Sequence, residues 1–293
     1  MNGVALFAGI AGLDLGLNQI MPDSKTVCYV EGETYSAQVL HAKMLKGELP
    51  DAPIYSNVRS FPSVANHFAQ KVDFITAGFP CQPFSNAGSR KGTKDERWLW
   101  DSIVETISEV RPSYLFLENV SNLLNEWGAF DEISKSLAKI GFNLEWCFVR
   151  ASDVGANHQR NRLFIFAYMP GTLSRINLSH PNGFGWFKEF QKIRGGQFNV
   201  IWEGVTINNP NHFGKPIMPL GNEEGRFVQQ PKTNFKPSWW RGDPPFPPVC
   251  RMDDGISYGM DRLRALGNAV VPLQAAHAFY ALIQRAINHP SRF

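Results

Sequence analysis

The sequence predicts an α/β fold: a doubly wound, mostly parallel sheet carrying a small irregular second domain. Three observations predict it. Over residues 1–170, short apolar runs alternate with longer amphipathic stretches. Near the N-terminus, "ALFAGIAGLDLGL" passes from a strand-like run through a glycine turn into a helix-like pattern. Beyond residue 170 the texture changes. Residues 171–252 hold 10 of the 20 prolines, 10 glycines and the four tryptophans Trp186, Trp202, Trp239 and Trp240. Strands alternating with helices indicate parallel strands joined by crossover helices.

The elements follow in order. The strand-like runs are Val4–Phe7, Thr26–Val30, Phe74–Ala77, Tyr114–Leu117, Leu144–Val149 and Leu163–Tyr168. Their Val, Ile, Phe and Tyr content is that of buried strands. In Trp98–Val110, Trp98, Leu99, Ile103, Ile107 and Val110 recur at helical spacing. Phe130, Ile133, Leu137 and Ile140 do the same in Phe130–Ile140. Residues 171–250 lack long periodic helices and read as a loop-rich small domain. Pattern returns at Met260–Leu266 and in Pro272–Ile287, a helix with Pro272 near its start. The chain thus divides into 1–170, 171–250 and a C-terminal segment, 251–293.

Composition excludes several classes. Of the 293 residues, 19% are charged and 13% aromatic, which is not the make-up of a disordered chain. No apolar run approaches the ~20 residues of a membrane span. The N-terminus has no basic region and no cleavage pattern, so secretion is not expected. The cysteines are Cys28, Cys81, Cys147 and Cys250, with no Cys-x-x-Cys pair and no zinc-like spacing. A reducing cytoplasm and no metal are expected. Cys28 and Cys147 lie inside strand-like runs and read as inert packing. Residues 1–170 carry 15 Lys and Arg against 18 Asp and Glu, net −3; residues 171–293 carry 14 against 8, net +6. The asymmetry fits a polyanion facing the second part. An ordinary basic surface would look the same on charge alone.

Four motifs carry chemistry. In the first turn, Gly9 and Gly12 let backbone approach a ligand at a helix N-terminus. Glu31, about twenty residues on, stands where an acid suits a ribose diol. A tight turn with a surface acid would give the same pattern. Second, "DFITAGFPCQPFSNAGSRKG" sets Cys81 among turn formers past the end of a strand. A loop there can expose a thiol and favour the thiolate a nucleophile needs. Third, in "YLFLENVSNLL" Glu118 follows four apolar or aromatic residues. Partial desolvation would raise its pKa and suit a proton donor; a helix-capping acid is the alternative. Fourth, "DVGANHQRNRLFIFA" places Arg160 and Arg162 two apart before a strand, on one face if extended. Paired guanidinium groups suit phosphate or a polarised carbonyl oxygen. His158 beside them reads as a supporting or substrate-backbone residue.

Read in order, these motifs resemble the DNA (cytosine-5) methyltransferase family. "LFAGIAGLDLGL" looks like its S-adenosylmethionine-binding motif and "GFPCQPFSNAG" like its Pro-Cys-Gln catalytic loop. "DERWLWD", "ENV", "HQRNRLF" and "ALGNAVVP" look like further motifs in the family's order. The resemblance covers residues 1–170 and about 250–290. It implies a Rossmann-like methyltransferase core, with 171–250 as the target-recognition domain. It also implies that "GNAVVP" brings the C-terminal helix back to the first turn.

By resemblance, Cys81 is the nucleophile, Glu118 the proton donor, Arg162 the group that steadies the cytosine oxygen and Arg160 its near partner. Phe7, Gly9, Ile10, Gly12, Glu31, Asn57, Pro80, Asn268 and Val270 would contact S-adenosyl-L-methionine. Gln82, Ser85, Arg90, Lys91 and Asn119 would meet a flipped-out base and its DNA. The implied partner is double-stranded DNA, bound by a monomer, with a cognate restriction endonuclease as a further partner. The sequence departs from the family pattern at Ala5, Ala11, Asn57 and Asn157. These bear on cofactor affinity and remove no catalytic group. A catalytically silent binding module is disfavoured by the intact Cys81, Glu118, Arg160 and Arg162. A tRNA-modifying relative shares the catalytic motifs, and the aromatic, basic 171–250 region favours DNA. A nicotinamide dehydrogenase would explain the glycine turn and leave the Cys81 loop idle.

If residues 171–250 read the bases, grafting another family member's region there changes the methylated sequence and leaves cofactor binding intact. Bisulfite sequencing of DNA from expressing cells reads the change. An unchanged target would refute the assignment.

Overall fold

Strands β1 (Asn2–Leu6), β2 (Lys25–Val30), β3 (Ile54–Tyr55), β4 (Phe74–Gly78), β5 (Tyr114–Val120), β6 (Asn143–Arg150) and β7 (Asn161–Tyr168) build one seven-stranded sheet. The computed structural model describes residues 1–80, 98–124, 128–156, 158–178 and 259–288. All six strand-like runs form. Among the described strands, only β3 carries no signal in the sequence, since its two residues are too few to show a period of two. Most of the expected second domain lies outside the described residues.

The sheet order is β3-β2-β1-β4-β5-β7-β6. β1 to β5 run parallel to one another. β7 runs antiparallel to both β5 and β6. The sheet is therefore mostly parallel, as expected. Its order reverses at β1, so a crevice opens between the ends of β1 and β4, where α/β sheets bind ligands.

Helices cover both faces. They are α1 (Gly12–Ile20), α2 (Thr34–Leu45), α3 (Pro62–Ala65), α4 (Trp100–Val110), α5 (Ala129–Ile140), α6 (Gly259–Asn268) and α7 (Pro272–Asn288). The helices foreseen at 98–110, 130–140, 260–266 and 272–287 form within two residues of those limits. α2 gave little signal because it buries only Ser36, Leu40 and Met44. On one face, Ile103 and Ile107 of α4 and Ile133 and Leu137 of α5 pack on Ile75, Leu115 and Leu144. On the other, α1 and α7 cover Phe116, Phe164 and Phe166. Phe279 of α7 meets Phe116 edge to face, with ring centroids 4.5 Å apart. Burying such a ring contributes about 1.5–3 kcal/mol. By length and composition Ala265–Asn288 could cross a membrane. Here its apolar side chains from Ala275 to Ala286 form part of the core over the sheet. Cys147 is buried in that core and Cys28 in the core on the opposite face. Burial pushes the Cys28 thiol up to about 11 and the Cys147 thiol higher still, so both stay protonated.

The C-terminal helix returns to the first one. A Cβ on Gly12 would stand 2.3 Å from the Val270 carbonyl oxygen. One on Gly16 would stand 2.6 Å from the Pro272 carbonyl and 2.7 Å from the Ala275 Cβ. Glycine is required at both by close approach. An Ala in place of an exposed helical Gly usually stabilises by about 0.5–1 kcal/mol. Gly16→Ala is expected to destabilise instead, by about 1–3 kcal/mol, because overpacking forces α1 and α7 apart. The urea midpoint of the variant measures the sign.

Candidate active site

Because β1 to β5 are parallel, the turns after them gather at one edge of the sheet. These carry Phe7–Gly12, Glu31, Asn57, Gly78–Pro80 and Glu118–Val120. The reversed β7 begins at the same edge, so Arg160 and Arg162 join them. Residues far apart in sequence meet there through topology alone.

The first turn is bent sharply. Phe7, Gly9 and Ala11 all have positive φ, at 52°, 55° and 65°. Glu31 ties the turn to the end of β2. Its carboxylate accepts the Gly9 N–H at 2.6 Å and the Glu33 N–H at 2.7 Å. Two carboxylate oxygens still have lone pairs for a diol. A Cβ on Gly9 would meet nothing within 4 Å, so the backbone there is open to a ligand. Gly12, by contrast, is closed off by Val270. Ile10 lies between them, its carbonyl held by Lys43 Nζ at 2.8 Å. Val270 is half-buried and Asn268 exposed. Asn57, just past β3, is exposed, and its Oδ1 accepts the Arg59 N–H at 3.0 Å, closing a turn. The residues of this turn fit a nucleoside-bearing group: open backbone at Gly9, a carboxylate at ribose distance in sequence and a helix N-terminus behind them.

Under the turn, Asp14 fixes the start of α1. Its buried Oδ1 accepts the Thr26 hydroxyl at 3.0 Å and the Thr76 hydroxyl at 3.1 Å. Burial pushes this carboxyl above its ordinary value, and the two hydroxyls oppose the shift.

At the centre of the edge, Glu118 is 8% exposed. Arg162 Nε lies 2.9 Å from its Oε1. The register explains the pair. Arg162 stands opposite Val120 across β5 and β7, so Glu118, two residues along, is its diagonal neighbour on the same face. Gly78 is paired with Glu118 across β4 and β5. A Cβ there would lie 3.4 Å from Glu118 Oε2, 3.6 Å from a Leu13 methyl and 4.0 Å from a Val270 methyl. Burial pushes the Glu118 carboxyl up to about 7, against the pull of Arg162 and then Arg160.

Arg160 corrects one expectation. It does not share an extended face with Arg162, because β7 starts at Asn161 and Arg160 has φ 30°. Its guanidinium turns to the C-terminal segment, donating to Gly267 O at 2.6 Å and Ala269 O at 2.7 Å. Arg162 also donates to Asn161 O at 2.9 Å. Asn119 is buried, and its side chain is engaged within the protein. It donates to Phe79 O at 3.1 Å and accepts the Val120 N–H at 2.8 Å. It thereby steadies the chain that enters Pro80, which is half-buried. Phe79 packs between Trp98 and Trp100, at 6.1 and 5.5 Å. His158 is exposed. Cys81, Gln82, Ser85, Arg90 and Lys91 lie outside the described residues. Sequence reasoning missed Gln274, buried on α7, which donates to Val149 O at 2.6 Å and Arg160 O at 2.9 Å. A glutamine within an apolar helical face was its only signal. Among the described residues no group of three or more His, Cys, Asp or Glu is placed to hold a metal ion.

The sequence profile of C-5 cytosine-specific DNA methylases matches residues 1–217. The chain belongs to that family. It is 40% identical over 163 residues to the Type II methyltransferase M.CviJI of Paramecium bursaria Chlorella virus IL3A, covering 55% of this chain and 41% of that protein. It is 31% identical over 176 residues to M.Sau3AI of Staphylococcus aureus, covering 56% of this chain and 42% of the relative. The matched part is thus about two fifths of those relatives' length. Among solved structures, it aligns with the S. pombe Dnmt2 methyltransferase at TM-score 0.48 and 19% identity, over 63% of this chain and 58% of that one.

In this family member the Glu118 proton should be visible in stability. The carboxyl ionises near its ordinary 4.5 when unfolded and near 7 when folded. Between these values the folded state keeps a proton that the unfolded chain releases. The contribution to stability is full below 4.5 and is lost as pH rises to about 7. Glu118→Gln should flatten that decline. Urea unfolding from pH 4 to 8 measures it, and equal slopes for both proteins would contradict the assignment.

Proposed function

We propose that the protein transfers a methyl group from S-adenosyl-L-methionine to carbon 5 of a flipped-out cytosine in a specific double-stranded DNA sequence. The observation that carries the reading is the Glu118–Arg162 pair, held 2.9 Å apart beside the strand end that leads through Pro80 into Cys81. The family match supports it. A carboxyl poised near 7 can hold a proton at neutral pH and give it up in a reaction.

The residues divide the work. Carbon 5 of cytosine is too weak a nucleophile to take a methyl group unaided. The Cys81 thiolate adds to carbon 6, and Glu118 supplies a proton at ring nitrogen 3. Arg162 orients Glu118 and steadies the base oxygen. Arg160 holds the 267–270 segment, which carries Asn268 and Val270, against this edge. The cofactor supplies an electrophilic methyl group when bound. The turn Phe7–Gly12, with Glu31 for the ribose and Asn57 for the adenine, would hold it. Once carbon 5 carries the methyl group, loss of its proton restores the ring double bond, expels Cys81 as a thiolate and lets nitrogen 3 return its proton to Glu118. A base stacked in a duplex is out of reach, so it must leave the stack. Gln82, Ser85, Arg90 and Lys91, with the basic region 171–250, would hold the DNA. Type II methyltransferases among the relatives favour a role beside a restriction endonuclease.

A duplex with 5-fluorocytosine at the target tests the mechanism, since fluorine cannot leave as a cation. The duplex should trap the protein in an adduct that needs S-adenosylmethionine and survives denaturing electrophoresis. Cys81→Ala should abolish both trapping and methylation. Glu118→Gln should slow both by about 10²–10⁴. Cys28→Ala and Cys147→Ala should still trap. An adduct persisting in Cys81→Ala would refute the nucleophile.

A further inference from the structure

Lys43 has no part in the reading above. It lies on α2, yet its half-buried ammonium donates to the carbonyl oxygen of Ile10 at 2.8 Å. That carbonyl belongs to the peptide that leads into Ala11. Ala11 is left-handed, at φ 65° and ψ 32°, and serves as the cap residue of α1. A left-handed backbone is costly for any residue that carries a Cβ. Turning the Ile10–Ala11 peptide plane over would return Ala11 to negative φ, as in the exchange of one turn type for another. It would also remove the carbonyl from Lys43. The same peptide's N–H donates to Ala8 O at 2.8 Å. One end of the plane is therefore held by a backbone turn bond and the other by a charged side chain. Charge-assisted bonds are the stronger kind.

The rest of the turn is held from other sides. Glu31 fixes the Gly9 N–H, and the Ala8 N–H donates to Val30 O at 3.1 Å. Neither contact controls the Ile10–Ala11 plane. Burial pulls the Lys43 ammonium below its ordinary value, and the Glu48 carboxylate opposes this.

We propose that Lys43 is a positioning residue for the cofactor: it holds the Ile10–Ala11 peptide in the orientation that gives the Phe7–Gly12 turn its binding shape. The proposal rests on the reading of that turn as the S-adenosylmethionine site. It accounts for an alanine at a position where glycine would be unstrained. Affinity falls as the fraction of protein in the competent turn falls.

Calorimetry with S-adenosylmethionine tests it on the full chain. Lys43→Met keeps the apolar stem and removes the donor. It should raise the Kd by about tenfold to a hundredfold, the order expected for one lost charge-assisted hydrogen bond. In turnover assays KM for the cofactor should rise with kcat unchanged, and the urea midpoint should hardly move. Adding Ala11→Gly to Lys43→Met should restore most of the affinity, because glycine is left-handed without strain. Lys46→Met, on the exposed end of the same helix, should bind as the unaltered protein does. An unchanged Kd in Lys43→Met would overturn the proposal. So would a loss that Ala11→Gly fails to restore and that follows a fall in stability, since Lys43 would then be a tether for α2. If the unaltered protein binds no S-adenosylmethionine, the functional reading fails and this inference with it. Binding by the unaltered protein and by Lys43→Met alike overturns the Lys43 role alone.

Discussion

A carboxylate and a guanidinium 2.9 Å apart, almost out of reach of water, set the terms for the carboxyl edge of this sheet. Burial alone would keep Glu118 protonated; two arginines alone would keep it ionised. The opposing effects leave it near 7, where a proton can move either way at neutral pH. That balance needs Arg162 on the same edge as the end of β5. An antiparallel β7 provides this. Were β7 parallel to β5, its first residues would lie a strand's length away, roughly 20 Å at the rise of an extended chain.

The same edge is closed from behind by the C-terminal segment. Gly12 and Gly16 let α1 approach Val270, Pro272 and Ala275 far more closely than any larger residue would allow. Arg160 then engages the carbonyls of Gly267 and Ala269, and Gln274 engages those of Val149 and Arg160. The Val149 oxygen that Gln274 meets is buried, and the Ala269 and Arg160 oxygens are partly so. Leaving such an oxygen without a donor costs about 1–3 kcal/mol. Side chains from opposite ends of the described chain are thus coupled to the same few peptides.

The Phe7–Gly12 turn is controlled in a similar way. Positive φ at Phe7 and Ala11, two residues with side chains within five positions, would be costly in a free peptide. They persist because Glu31, Lys43 and the Val30 carbonyl hold the turn from three directions. Asp14 adds a fourth restraint by anchoring the first turn of α1 to Thr26 on β2 and Thr76 on β4. The groups that shape the turn come from β2, α2 and α1.

By itself the sequence determined the strands, because six buried runs of Val, Ile, Phe and Tyr carry their own signal. It determined α4, α5 and α7 through apolar spacing, and it marked Glu118 and Arg162 through their position at strand ends. Its motif order pointed to the family to which the chain belongs. β3 was too short to register, and α2 buried too few side chains. Tertiary structure alone decided what the polar side chains touch. Arg160 leaves the face of Arg162 because one positive φ breaks the alternation of a strand. Asn119 turns inward to Phe79 because its buried amide needs partners there. Lys43 reaches Ile10 across 33 residues of chain, and Gln274 reaches Arg160 across 114. Local periodicity records which face of an element is apolar. Which carbonyl a side chain meets depends on how those faces are stacked, and that is settled only when the sheet closes.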